Sequence, residues 1–317
     1  MPPSHITQQI KAEALRLGFS ACGVAKAAPV EATVAEAYKS WIERGDCASM
    51  DYMRSNIEKR LDPCELLPGA KSVISLALNY YPAQLLADDQ YQFAYYAYGK
   101  DYHDVMRGMM QSLAMRVRDV LGESVECKIC CDTVPILDRY WAWKSGLGWI
   151  GKNTNLVIPG AGSYYFLGEI VVSEELDYDA PVESRCGNCT RCLDACPTGA
   201  LRSAYCLDAR RCLSYLTIEN RGDIPAELAS ALSPYVYGCD RCQQACPHNR
   251  FAVPTGVGEF CPSSEFLSMR PSDWHGLSVE KYRTLFKGSA VKRAKYEGLV
   301  RNISHLSRLD EEDAPLG

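Results

Sequence analysis

Twelve residues in the second half constrain this chain more than any other feature: Cys186-Gly-Asn-Cys189-Thr-Arg-Cys192-Leu-Asp-Ala-Cys196-Pro197. The spacing C-x2-C-x2-C-x3-C-P lets three thiolates grip one iron–sulfur cubane while the fourth, before the proline, reaches a second. A further block, Cys239-Asp-Arg-Cys242-Gln-Gln-Ala-Cys246-Pro247, repeats the C-x3-C-P ending but lacks the first C-x2-C hook. A thiol upstream must replace it: Cys212, 27 residues before Cys239, is the preferred candidate and Cys206 the alternative. Crosswise pairing then assigns Cys186, Cys189, Cys192 and Cys246 to one [4Fe–4S] cluster, and Cys196, Cys212, Cys239 and Cys242 to the other. A zinc site would use two C-x2-C hooks and leave the doubled C-x3-C-P without a role.

Sixteen cysteines in 317 residues would suggest a disulfide scaffold in a small exported protein. Here Met1-Pro-Pro-Ser-His-Ile-Thr7 has no basic stretch leading into an apolar one, so the expectation is a reducing cytoplasm and metal ligation. The other eight cysteines are expected mostly as small buried apolar residues. No run of 18 apolar residues offers a membrane span. The net charge of −5 is unevenly spread. Eight Lys and Arg between Lys281 and Arg308 face only Glu297, a local +7, before the acidic run Asp310-Glu-Glu-Asp313. Such a segment can hold phosphates or simply form a solvated helix face.

The first half mixes helical and strand periodicities. Ile6, Ile10, Ala14 and Leu17 predict a helix stopped by Gly18, and Val34 to Arg44 a second. Strands are expected at 19–25, 72–81, 125–131 and 164–173, with residues 50–63 irregular. A helix after His103 should bury Val105, Met109, Leu113, Val117 and Leu121. Another is expected at 135–145, and Gly146 to Asn153 reads as a Gly-rich loop. Its G-x-G-x-x-G pattern follows a helix and not a strand, so it does not make a dinucleotide site. The expected class is α+β: a mixed sheet-and-helix catalytic domain (1–180), a bacterial-ferredoxin-like two-[4Fe–4S] domain (181–250) and a short helical, basic C-terminal segment (251–317). A carrier of electrons alone needs only about 60 residues, so the front half must bind whatever uses them.

Several stretches together resemble the epoxyqueuosine reductase family: Asp101-Tyr-His103, Val125-Glu-Cys-Lys-Ile-Cys-Cys-Asp132-Thr133, Gly146-Leu-Gly-Trp-Ile-Gly-Lys-Asn153, the cysteine run, Cys212-Leu-Ser-Tyr-Leu-Thr-Ile-Glu219 and Tyr237-Gly-Cys-Asp-Arg-Cys-Gln243. The likeness runs in order along almost the whole chain. Many members continue into a C-terminal helical-repeat segment that this sequence does not reach. The resemblance implies a cobalamin-dependent oxidoreductase of tRNA maturation, reducing the epoxide of epoxyqueuosine at the wobble position to queuosine. It also implies two [4Fe–4S] clusters fed by an external one-electron donor. Cobalamin is expected base-off with no protein histidine on cobalt, and Asp101-x-His103 lacks the glycine of the D-x-H-x-x-G motif, having Met106 there. His103 is then a positioning residue.

By the same resemblance Asp132 is the proton donor, its pKa raised by burial beneath an apolar ring. A helix N-cap before Pro135 is its structural alternative. Arg60, Asn153, Thr154, Ser214, Asp240 and Asp132 are expected to contact cobalamin. Lys292, Arg293 and Lys295 would hold the tRNA backbone while an unpaired anticodon base enters the pocket. Tyr95, Tyr96 and Tyr98 are read as core. A monomer is expected. The rival readings are a relative of cobalamin-dependent reductive dehalogenases, which usually carry a twin-arginine export signal, and a ferredoxin-type carrier.

Overall fold

The computed structural model describes residues 3–312; Met1, Pro2 and the end of the acidic run at Asp313 lie outside them. Four strands form the central sheet: β1 (Ala21–Lys26), β2 (Ser72–Asn79), β3 (Cys127–Cys130) and β4 (Tyr165–Val172). They are antiparallel in the order β1-β2-β4-β3. The two inner strands are mostly apolar and largely buried, with Ser72, Ser75 and Glu169 enclosed among them, because helices cover both faces. On one face, Ile74, Leu76, Leu78, Ile170 and Val172 meet Ile10 and Ala14 of α1 (Pro3–Arg16) and Met106, Met110 and Leu113 of a long helix, Tyr102–Leu121. On the other, Val73 and Val171 meet Tyr140 and Trp141 of the helix Asp138–Lys144.

The expected strands are all present, with ends that differ from expectation by no more than two residues. The long helix differs in which face it buries. Met106, Met110, Leu113, Ala114 and Val117 are buried, whereas Val105, Met109 and Leu121 are only partly covered. A strict four-residue row outruns the 3.6-residue turn and drifts around the helix, so both of its ends leave the core. The helix expected from Pro135 begins at Asp138, with Leu137 at the N-cap position, so Asp132 is not an N-cap. The Gly-rich stretch is a small hairpin, Trp149–Ile150 against Leu156–Val157. A Cβ on Gly148 would meet the Val157 carbonyl oxygen at 2.2 Å, which gives that glycine a packing role.

The cysteine-rich stretch folds around two single-turn helices, Arg191–Asp194 and Arg241–Gln244, and the helix Leu213–Ile218. A separate apolar core ties it to its neighbours. Phe93 and Tyr98 from the front half pack with Leu213, Leu216 and Tyr237, and with Trp274, Leu299 and Ile303 of the C-terminal helices. The last of these helices is Lys295–Glu312. This core holds the cysteine-rich unit over the ends of β3 and β4.

Candidate functional site

A cavity of about 500 Å³ opens between the sheet and the cysteine-rich unit. Tyr102 and Asp132 line it from the sheet side; Cys196, Cys212, Cys239 and Cys242 line it from the other. Asn153, Thr154, Ser214 and Asp240 also face it, but Arg60 does not.

The cysteines fall into two electrostatic sets. Cys246 feels the charges of Cys186 and Cys189, and Cys192 those of Cys246 and Cys186. Cys242 feels Cys212, Cys239 and Cys196. Burial, then this crowding of like charge, pushes Cys242 well above the usual thiol range, and burial pushes Cys239 up to about 12. Cys212, Cys239 and Cys242 are each raised in part by a neighbouring thiol of the set, a repulsion that a bound polycation relieves. Cys196 runs the other way: burial raises it, but amides of Leu201, Thr198 and Ala200 and the Thr198 hydroxyl hydrogen-bond the sulfur and bring it down overall. Among the described residues Cys206 joins neither set. It lies in a two-residue strand, Cys206–Leu207, of a separate hairpin.

Asp132 sits just past β3 with φ +52°, in the left-handed region. Its carboxyl, 55% exposed toward the cavity, bonds His103 Nε2 at 2.8 Å. On its other side His103 Nδ1 bonds Asp101 at 2.6 Å. Tyr102 stacks on the imidazole at 4.1 Å and, on Phe166, at 4.2 Å and 8°. Burial alone would raise Asp132, as the sequence suggested. The hydrogen bond and charge of His103, the Tyr102 hydroxyl and the charge of Arg293 outweigh it, and the carboxyl is held below its usual range. His103 rises to about 9 through its bonds to Asp101 and then Asp132. At neutral pH the proton therefore resides on the imidazole, between two carboxylates.

The other expected contacts divide. Asn153 is buried and donates to the Cys242 carbonyl at 3.2 Å, tying the hairpin to the second cysteine set. Thr154 has φ +67°, and its carbonyl accepts from Arg139 at 2.9 Å. Asp240 is fully enclosed, accepts the Tyr95 amide at 2.7 Å and is pushed up by burial to about 7. Arg60 is buried, donates to the Tyr52 carbonyl at 2.8 Å and leaves Nε without a protein partner. Tyr98 is core, whereas Tyr96 is partly buried and reaches the cavity.

The basic residues also separate. Lys292 and Lys295 are exposed and make no ion pair among the described residues. Arg293 instead makes a two-pronged pair with Glu219, both contacts at 2.8 Å, over the Tyr52 ring at 5.6 Å. Sequence reasoning missed Tyr52, Glu219 and the link from His103 to Asp132. None of the three had a local signal; the Asp101-x-His103 spacing at a helix start points only to the bond between those two residues.

Comparison with known proteins decides the family. A sequence model described as epoxyqueuosine reductase QueG, DUF1730, matches residues 60–133, and a 4Fe-4S double cluster binding domain matches residues 185–249. An epoxyqueuosine reductase of Cellulophaga algicola is 45% identical over 297 residues, covering 94% of this chain and 96% of that one. The chain belongs to the epoxyqueuosine reductase family. An Escherichia coli epoxyqueuosine reductase is 36% identical over 307 residues, covering 95% of this chain and 80% of its own. A crystal structure of epoxyqueuosine reductase with an epoxyqueuosine-modified tRNA-Tyr stem loop superposes with a TM-score of 0.87 at 29% identity, covering 95% of this chain and 80% of that one. A Bacillus subtilis epoxyqueuosine reductase, with its catalytic aspartate loop swung out of the active site, gives 0.85 at 28% identity over 98% of this chain and 86% of that one. As an epoxyqueuosine reductase family member the chain is an oxidoreductase with a double [4Fe–4S] domain, and the dehalogenase and carrier readings are not favoured. No described helix is long and apolar enough to cross a membrane.

Proposed function

We propose that this protein reduces epoxyqueuosine in the tRNA anticodon to queuosine, using cobalamin held in the cavity and electrons delivered through two [4Fe–4S] clusters. The observation that carries the reading is the cavity itself, with Asp132 on one wall and the second cysteine set on the other. Epoxide reduction to an alkene consumes two electrons and two protons and releases water. It therefore needs an electron entry on one side of the substrate and a proton source on the other.

Cobalamin, when bound, would supply the low-potential chemistry at carbon that side chains lack. The fit is supported by the donor groups that converge on the cavity. Asn153, Thr154, Ser214 and Asp240 offer amide, hydroxyl and carboxyl contacts suited to the rim of a large amide-bearing ring. Arg60, outside the lining, serves the site through Tyr52. Cys196, Cys212, Cys239 and Cys242 hold the cluster at the cavity; Cys186, Cys189, Cys192 and Cys246 hold the outer one, where an external one-electron donor docks. The two electrostatic sets support this partition.

Asp132 protonates the oxygen as the epoxide opens. Lys292 and Lys295 hold phosphates, and an unpaired anticodon base is drawn toward Tyr52 and Asp132. The division of labour follows the expected stretches: 1–180 for cobalamin and chemistry, 181–250 for electrons, 251–317 for tRNA. We take the working form as a cytoplasmic monomer. The test is anaerobic incubation of reconstituted protein with reductant and epoxyqueuosine-containing tRNA, followed by nucleoside analysis. Queuosine is expected; persistence of epoxyqueuosine with both clusters and cobalamin bound would falsify the reading.

A further inference from the structure

One turnover consumes two protons, yet Asp132 can hold only one at a time. We propose that His103, oriented by Asp101, stores a proton and recharges Asp132 with it for each of the two transfers, making Asp101–His103–Asp132 a proton relay. The inference rests on the reaction proposed above.

The geometry has the parts such a relay needs. Asp101 caps the long helix, accepting the His103 amide at 3.1 Å and its ring Nδ1 at 2.6 Å with one carboxyl oxygen. That double contact fixes the ring and keeps a proton on Nδ1, which leaves Nε2 to face Asp132 at 2.8 Å. Tyr102, itself pinned flat against Phe166, covers the ring face at 4.1 Å and prevents it from swinging away. The groups facing the imidazole are the two carboxylates and Tyr102, while Arg293 acts on it only through Asp132. An imidazolium between two carboxylates is favoured, consistent with its elevated pKa of about 9.

The balance is simple. At rest Asp132 is a carboxylate and His103 carries both ring protons. The Nε2 proton moves to Asp132, which passes it to the oxygen as the first carbon–oxygen bond breaks, leaving neutral imidazole with its proton on Nδ1. Once His103 is reprotonated, the same transfer delivers the second proton to the hydroxyl oxygen, which departs as water when the second carbon–oxygen bond breaks. The two electrons come from the external one-electron donor through the clusters, and His103 regains its proton from solvent. His103 touches neither substrate nor cofactor in this scheme; it acts through Asp132.

The test uses holoenzyme and epoxyqueuosine-containing tRNA under single-turnover conditions. His103→Gln keeps a hydrogen-bonding side chain but cannot shuttle a proton. It is expected to retain iron content and tRNA affinity, to lose about 10²-fold in rate, and to lose the decline in rate that wild type shows as pH rises through about 9. His103→Ala is expected to regain rate when imidazole is added, which a purely structural defect would not. Independently of activity, ¹⁵N NMR of the His103 ring should report titration near 9, falling in Asp101→Asn and again in Asp132→Asn. Wild-type rate with an unchanged pH profile in His103→Gln, or His103 titrating in the ordinary histidine range, overturns the relay. If wild type itself leaves epoxyqueuosine untouched, the proposed function fails, while the NMR titration still decides whether the three side chains share a proton.

Discussion

Lys292, Arg293 and Lys295 look equivalent in the sequence, and the structure separates them in a way that salt can measure. Lys292 and Lys295 project free charge from the surface, whereas Arg293 is neutralised by both oxygens of Glu219. A lysine that meets a phosphate releases a counterion, and each such contact adds about 0.9 to the slope of log affinity against log salt on duplex, or about 0.7 on single strands. Replacing both lysines by alanine should therefore lower the slope by about 1.4–1.8. Between 50 and 200 mM salt, wild type's advantage over the double variant then shrinks by about 7- to 12-fold. Arg293→Ala should leave the slope almost unchanged. Its effect falls on Asp132, which loses a nearby positive charge and titrates higher. The assay is fluorescence anisotropy of a labelled anticodon stem loop across that salt range. An unchanged slope in the lysine double variant, or a slope change in Arg293→Ala equal to that of one lysine, would refute the separation.

Other outcomes follow from single sites. Asp132→Asn should bind tRNA as wild type does and lose about 10²- to 10⁴-fold in turnover; wild-type turnover would remove it as the donor. Cys212→Ser should drop iron from about eight to about four per chain and Cys206→Ser should not, by iron and sulfide analysis; the reverse would reassign the ligand. Glu169 lies on β4, 1% exposed, with neither carboxyl oxygen bonded by protein, and burial raises its pKa well above normal. Because the folded value is the higher one, its contribution is complete below the unfolded carboxylate range and is lost as pH rises toward the folded value. Glu169→Gln escapes that loss, so its melting temperature relative to wild type should climb from pH 5 to pH 8, and a flat difference would count against a buried neutral carboxyl.

The parts of the fold legible in the sequence are those fixed by neighbours along the chain. The inner strands could be read because covering helices on both faces favour stretches rich in apolar residues, such as Val73, Ile74, Leu76, Ala77 and Leu78 within Ser72–Asn79. The cysteines could be read because cluster geometry imposes short, fixed spacings. The non-local partner proposed here, Cys212, comes from counting the missing thiol. What could not be read was assembled across distance. His103 and Asp132 are 29 residues apart and Arg293 and Glu219 are 74 apart, and no spacing rule links either pair. The direction of the Asp132 shift escapes the sequence for that reason, since burial is visible in an apolar neighbourhood and a partner imidazole from a distant helix is not.

The left-handed backbone at Asp132 restricts what can replace it. Short side chains that bond their own backbone, Asp and Asn above all, tolerate that conformation, and glutamate does so poorly. A longer carboxylate cannot simply be substituted to reach a bulkier or more distant substrate: the exchange would change the chain's path as well as the acid's reach. Altering the substrate range of this pocket, by selection or by design, therefore has to proceed through the walls around Asp132 and leave the acid itself in place.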